Sequence, residues 1–170
     1  KKGAITTSYR LARKNAFIEM GNLMASFQRM SQEPKSKQKQ LPQVYKLAVL
    51  NHSLLSSAAS LGTYIQSHKT TSASEAFNAV MDTVIKNLEN SIRLLNEDLS
   101  IQNNIVKEEL ALRFTELKNI RARELKEGNP IDEEAFQLKM QEAQLVIEQL
   151  IWLTNLSENI LKTTNSLMTA

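Results

Sequence analysis

Three kinds of side chain in this sequence could do chemistry: histidines, clustered carboxylates and a close-set group of bases. The histidines are His52 and His68. Neither has Glu three residues before it, so the Glu-x-x-His pair of di-iron bundles is missing. There is no cysteine, which removes disulfides, thiolate nucleophiles and Cys-based zinc sites. No Gly-rich phosphate loop, zinc spacing or nucleophile motif appears. The acids Asp132, Glu133 and Glu134 follow Gly128-Asn129-Pro130. Gly suits the left-handed end of one helix, Asn the cap of the next and Pro its first turn. The acids then sit where a helix dipole favours negative charge. They read as a helix start and not as a metal site. The expectation is a protein that is not an enzyme and takes no metal and no cofactor.

The bases carry more information. Arg10, Arg13 and Lys14 share one face of a helix by their spacing. Residues 1–46 hold 10 Lys/Arg against 2 Asp/Glu, while the remainder holds 11 against 16. The net charge of +3 therefore hides a basic front end on an acidic body. Such a front suits an anionic surface, or is simply a solvated helix face. Nucleic acid is not expected as a partner, because the basic region has no recognition motif or interleaved stacking aromatics. Lys1-Lys2 is not followed by an apolar core, so no signal peptide is read. The most apolar run, Leu145 to Leu156, is short and interrupted by Glu148 and Gln149, so no membrane span is read either.

The elements that must hold these residues are helices. With 4 Gly and 3 Pro in 170 residues there is too little punctuation for a β-rich fold. Aromatics make up only 5%, so the core must rest on Leu, Ile, Val, Ala and Met. The expected fold is a single all-α domain over residues 1–170, an antiparallel bundle of five main helices. They fall near residues 5–31, 42–67, 73–95, 105–127 and 131–167, with Lys1 to Ile5 frayed.

The first helix has the stripe Tyr9, Ala12, Ala16, Met20, Leu23, Phe27, Met30, in steps of three and four. Glu33-Pro34 stops it and opens an exposed basic loop with Lys35, Lys37 and Lys39. Pro42 suits the first turn of the second helix. That helix carries Val44, Leu47, Asn51, Leu54, Ala58, Leu61 and Ile65. Asn51 falls on the buried line as a satisfied polar core residue, and His52 beside it reads as a hydrogen-bonded packing residue. Ser72-Ala73-Ser74-Glu75 fits a capping box before the third helix. The third stripe is Phe77, Val80, Val84, Leu88, Ser91, Ile92, Leu95, and Asn96 to Asn104 is a polar break. The fourth helix has Val106, Leu110, Phe114, Leu117 and Ile120 under a face of mixed charge. Leu23, Phe27, Leu54, Leu61, Val84, Leu88, Phe114, Leu117, Ile147 and Leu150 are expected inside. Short connections make sequential helices antiparallel neighbours.

The fifth helix is apolar around most of its circumference between Leu145 and Leu156. Ala143, Val146, Leu150 and Leu153 form one line, and Leu145, Trp152 and Leu156 a second. One line packs on the core. The second either meets a second copy of the chain, with Trp152 as anchor, or is covered by the first and fourth helices. The first of these makes the protein a homo-oligomer.

Three stretches resemble a known family. They are Tyr9-Arg10-Leu11-Ala12-Arg13-Lys14-Asn15-Ala16, Met30-Ser31-Gln32-Glu33-Pro34 and Leu50-Asn51-His52-Ser53-Leu54-Leu55. Together they look like a soluble region of the fusaric-acid-resistance-type (FUSC), or aromatic-acid-exporter-like, bacterial inner-membrane proteins. That family has Tyr-Arg-x-Ala-Arg-Arg-x-Ala just after its last membrane helix, then Met-x-x-Glu-Pro, then Leu-Asn-His. Lys14 stands where Arg is common and keeps the charge. The likeness covers residues 9–65, and beyond them only a helical tail. It implies a C-terminal domain on the cytoplasmic side of the bacterial inner membrane, in a protein that exports small organic acids. The partner is then the membrane part of the same chain, with Arg10, Arg13 and Lys14 as a membrane-proximal basic cluster against anionic lipid. A basic stretch beside a membrane helix also agrees with the positive-inside rule. The alternative is a stand-alone helical module that docks on anionic lipid or nucleic acid through residues 10–39.

Overall fold

The computed structural model describes residues 2–67, 75–96, 107–127 and 133–169. Among the described residues are five helices: α1 Lys2–Gln32, α2 Leu41–Ser67, α3 Glu75–Leu95, α4 Lys107–Glu127 and α5 Glu133–Met168. There is no strand among the described residues. The fold is all-α, as the spacing of apolar residues requires. Helix α1 starts earlier than expected, at Lys2. Nothing in Lys2 to Ile5 forbids it, since one Gly costs a helix only about 1 kcal/mol. The Ser72-Ala73-Ser74 cap, His68, Leu99, Ile101, Val106 and the Gly128–Asp132 signal lie outside the described residues.

The α1–α2 turn shows why the chain reverses there. Pro34 starts a tight turn in which the Lys37 amide donates to the Pro34 carbonyl at 2.8 Å. The Gln38 side chain donates to the carbonyls of Ser31 (2.9 Å) and Glu33 (2.6 Å), satisfying orphan acceptors at the end of α1. Gln40 has a φ of 59°, and its carbonyl accepts from the amides of Gln43 and Val44 to start α2. Its side chain donates to the Leu167 carbonyl at 2.9 Å, pinning the turn to the last turn of α5.

Helix α5 is the centre of the molecule. It packs against α2, α3 and α4, whereas among the described residues α1 packs only against α2. Leu150 and Leu153 of α5 share a core with Leu61 from α2 and with Val80 and Val84 from α3. Leu54, Ile65, Phe77, Leu88, Phe114 and Leu117 pack around it. This explains a run of apolar residues too broad for one interface. It also corrects the expectation that every sequential pair of helices would be neighbours. The α2 and α3 backbones do not approach one another, and each packs on α5 instead.

Of the ten expected core residues, Leu61, Val84, Ile147 and Leu150 are buried and the other six are half-buried. Three stripes need correction. On α1, Ala12 and Ala16 are exposed, because among the described residues α2 alone packs on this helix, and the contacts lie to either side, at Tyr9 and at Phe27. On α3, Ile92 and Leu95 are exposed and Leu94 is buried in their place. Likewise Ala58 of α2 is exposed, while Ala48 and Ala59 are fully or almost fully buried.

A polar seam crosses the α3–α5 contact. Asn87 Nδ2 donates to Ser157 Oγ at 3.0 Å, and Ser157 Oγ donates to the Thr154 carbonyl at 2.8 Å. Thr83, Ser91 and Thr154 bond carbonyls one turn back in their own helices. Small, internally satisfied side chains let two helices approach without stranding a polar group.

Candidate functional site

Arg10, Arg13 and Lys14 are all exposed on α1. From Arg10 to Glu19 every residue of the helix is exposed. Three of them are large and apolar: Leu11 (57%), Phe17 (41%) and Ile18 (49%). A helix advances about 100° per residue. On that wheel the order around residues 10–18 is Arg13, Phe17, Arg10, Lys14, Ile18, Leu11, filling an arc of about 160° with bases and apolar groups alone. The arc starts about 20° beyond Met20 and runs away from the Leu23 and Phe27 side that α2 covers. The Arg13 guanidinium stands 5.8 Å from the centre of the Phe17 ring, a cation–π contact.

The basic front end is not one patch. Lys35, Lys37 and Lys39 are exposed in the turn at the other end of α1. Eighteen residues of helix separate Lys14 from Gln32, about 27 Å. Phe27 against Tyr45, with ring centres 5.3 Å apart, and Tyr9 over Gly62 hold the two ends of α1 on α2.

The second surface is on α5. Leu145 (62%) and Trp152 (50%) are exposed, as a free apolar line demands, but Leu156 is buried at 3%. Leu156 therefore belongs to the core and not to the proposed interface. The α5 turn around it is flanked by α3 at Ser157 and, further on, by the start of α2 at Leu167. That double cover widens the buried arc. Leu138, equally exposed, extends the line by one heptad instead. Leu138, Leu145 and Trp152 span about 21 Å along one side of the helix.

Asn51 is half-buried, and its Nδ2 donates to the Leu47 carbonyl at 2.8 Å within its own helix. His52 is exposed, which corrects the expectation of a buried packing residue. One residue further along α2 is a rotation of about 100°, enough to turn it off the interface. Glu133 and Glu134 lie exposed in the first turn of α5. Among the described residues, no three of His, Asp and Glu are grouped to hold a metal ion. No described helix is long and apolar enough to cross a membrane.

Leu11, Phe17, Ile18 and Leu138 are the residues that sequence reading passed over. The signal was present as Leu11 and Ile18 seven apart, and Leu138 seven before Leu145. It is easily missed because a longer stripe runs along the other side of each helix. Comparison with family models, curated proteins and solved structures finds no match to this chain.

Proposed function

We propose that this chain is a non-catalytic helical domain of a bacterial inner-membrane export protein of the fusaric-acid-resistance type. It lies on the cytoplasmic side and has a structural and regulatory role, joining copies of the protein through α5. The observation that carries the self-association is the exposed Leu138–Leu145–Trp152 line on the helix that also forms the core. Trp is enriched where interfaces concentrate their binding energy. The likeness of residues 9–65 to the family supports the membrane placement. Its motif residues have structural work here: Tyr9 seats on Gly62, Pro34 makes the turn and Asn51 is half-buried on α2, bonded to the Leu47 carbonyl.

The membrane placement is tested by the coding sequence immediately upstream of Lys1. Several long apolar spans are expected there. A start codon or a soluble domain in that place ends the reading. The joining role is tested separately, by the oligomeric state of the chain and of its Trp152→Ala variant.

A further inference from the structure

We propose that the outward arc of α1 is an interfacial anchor that lies along an anionic bilayer. In it Leu11, Phe17 and Ile18 enter between the headgroups, and Arg10, Arg13 and Lys14 engage the lipid phosphates. The inference rests on the membrane-side reading above for the presence of a bilayer beside the domain.

The arc has no protein cover among the described residues, since α1 packs only against α2. It brings the two kinds of side chain an anionic bilayer takes up, bases for the phosphates and large apolar groups for the acyl boundary, onto one arc, where long basic side chains can reach past their apolar neighbours. The one acid in this half of the helix, Glu19, falls outside the arc. Arg13 over the Phe17 ring shows how the two kinds of group coexist. The ring goes down into the acyl boundary while the guanidinium stays at phosphate level. Charge selects the occupant. A second copy apposed arc to arc would set Arg10, Arg13 and Lys14 against their own kind. A nucleic-acid backbone would satisfy the bases and leave Leu11 and Ile18 without a role. An anionic membrane uses all six side chains.

Flotation of the 170-residue chain with phosphatidylcholine vesicles, with and without phosphatidylglycerol, tests the anchor. Binding is expected only to the anionic vesicles. Replacing the bases together (Arg10→Gln, Arg13→Gln, Lys14→Gln) is expected to weaken it about a hundredfold. Replacing the apolar groups together (Leu11→Ser, Phe17→Ser, Ile18→Ser) is expected to weaken it about tenfold or more. It should also abolish the fraction of binding that survives high salt. All six side chains are exposed, so both variants should melt as the parent does, and a melt checks this. As a direct measure, Phe17→Trp in a Trp152→Phe chain should be quenched by brominated lipid.

An apolar variant that binds as tightly as the parent reduces the arc to a charged patch and overturns the proposal. So does a parent that ignores anionic vesicles, or an apolar variant that turns a dimer into a monomer. Duplex DNA binding that depends on the bases alone, with no vesicle binding, assigns the arc to nucleic acid instead. Each of these can occur while the upstream sequence still encodes membrane spans, so the failure of the anchor and of the membrane placement are told apart.

Discussion

Gly62 and Tyr9 set the closest approach between α1 and α2. A Cβ on Gly62 would overlap the Tyr9 hydroxyl and stand 2.8 Å from its Cζ. That hydroxyl is buried without a hydrogen-bond partner, so the ring is held by packing and not by its polar tip. Two effects therefore oppose each other in Gly62→Ala. Alanine favours the middle of a helix by about 1 kcal/mol. The added methyl also displaces Tyr9, losing its packing on α2. The sign of the change should consequently depend on residue 9. With Tyr9 present, Gly62→Ala is expected to be neutral or destabilising. In a Tyr9→Ala chain it should stabilise by about 0.5–1 kcal/mol. Urea melts of the four chains measure the coupling, and simple additivity would mean that the two residues do not touch. The Asn87–Ser157 bond obeys a different rule. Ser157 is fully buried. Ser157→Ala removes the acceptor from a half-buried amide, at an expected cost of about 1–2 kcal/mol. Asn87→Leu with Ser157→Ala replaces both polar groups and should recover part of it. If the double variant is worse than the sum of the singles, packing and not the hydrogen bond governs this contact.

At the scale of elements, the helices were legible and their arrangement only partly so. Steps of three and four gave α1 to α5 their place because burial imposes a helical period on the side chains. Pro34, Pro42 and the break at Asn96 coincide with helix ends for stated steric reasons. Which helix would be central was readable in one respect: the run from Leu145 to Leu156 is too broad for a single partner. What could not be read is which neighbours occupy each side. Periodicity describes a face, and a face does not name its partner. Hence spacing alone sets Leu156 beside Leu145 and Trp152 although it is buried, and Ile92 and Leu95 beside Val80 although Leu94 turns inward. The candidate surfaces suffered in the same way, with Arg10, Arg13 and Lys14 found and Leu11, Phe17 and Ile18 overlooked. An exposed apolar residue is informative only once its burial is known. The unequal cover of α1 has a dynamic consequence. One helical neighbour and a fully exposed stretch from Arg10 to Glu19 leave this segment with little tertiary support. Amide exchange there should be the fastest within the five helices, well ahead of Leu150 to Ile160 in α5. Equal protection of the two segments would mean that α1 has a partner in solution beyond α2.

For the whole molecule, the two proposed surfaces fall on different helices. Helix α1 sits at the rim and α5 at the centre, so a load on one does not disturb the other directly. The exposed line on α5 has a spacing that suits a twofold axis. Leu145 is midway between Leu138 and Trp152, each seven residues away. Two copies of α5 crossing antiparallel at Leu145 would set Leu138 of one chain against Trp152 of the other, twice over, as a self-complementary interface requires. Three residues are only its centre. A stable dimer needs about 800 Å² from each chain, so the neighbouring turns of α4 or α3 must add to it. Leu112 on α4 and Ile85 on α3 are exposed apolar side chains on the two helices in question, both of which pack on α5. Such a dimer predicts that Trp152→Ala and Leu138→Ala weaken association alike, since each removes one half of the same paired contact. Truncating a hot-spot Trp costs about 2 kcal/mol and the dimer loses two, which raises the dissociation constant roughly a thousandfold. Helical circular dichroism should stay close to that of the parent, because Trp152 is half exposed and lies outside the Leu150–Leu153 core. Sedimentation across a concentration series reads all of this. A parent chain that remains monomeric at high concentration removes the dimer. A Trp152→Ala chain that unfolds places the indole in the core. If only Trp152→Ala dissociates the dimer while Leu138→Ala does not, the interface is real but its axis does not pass through Leu145.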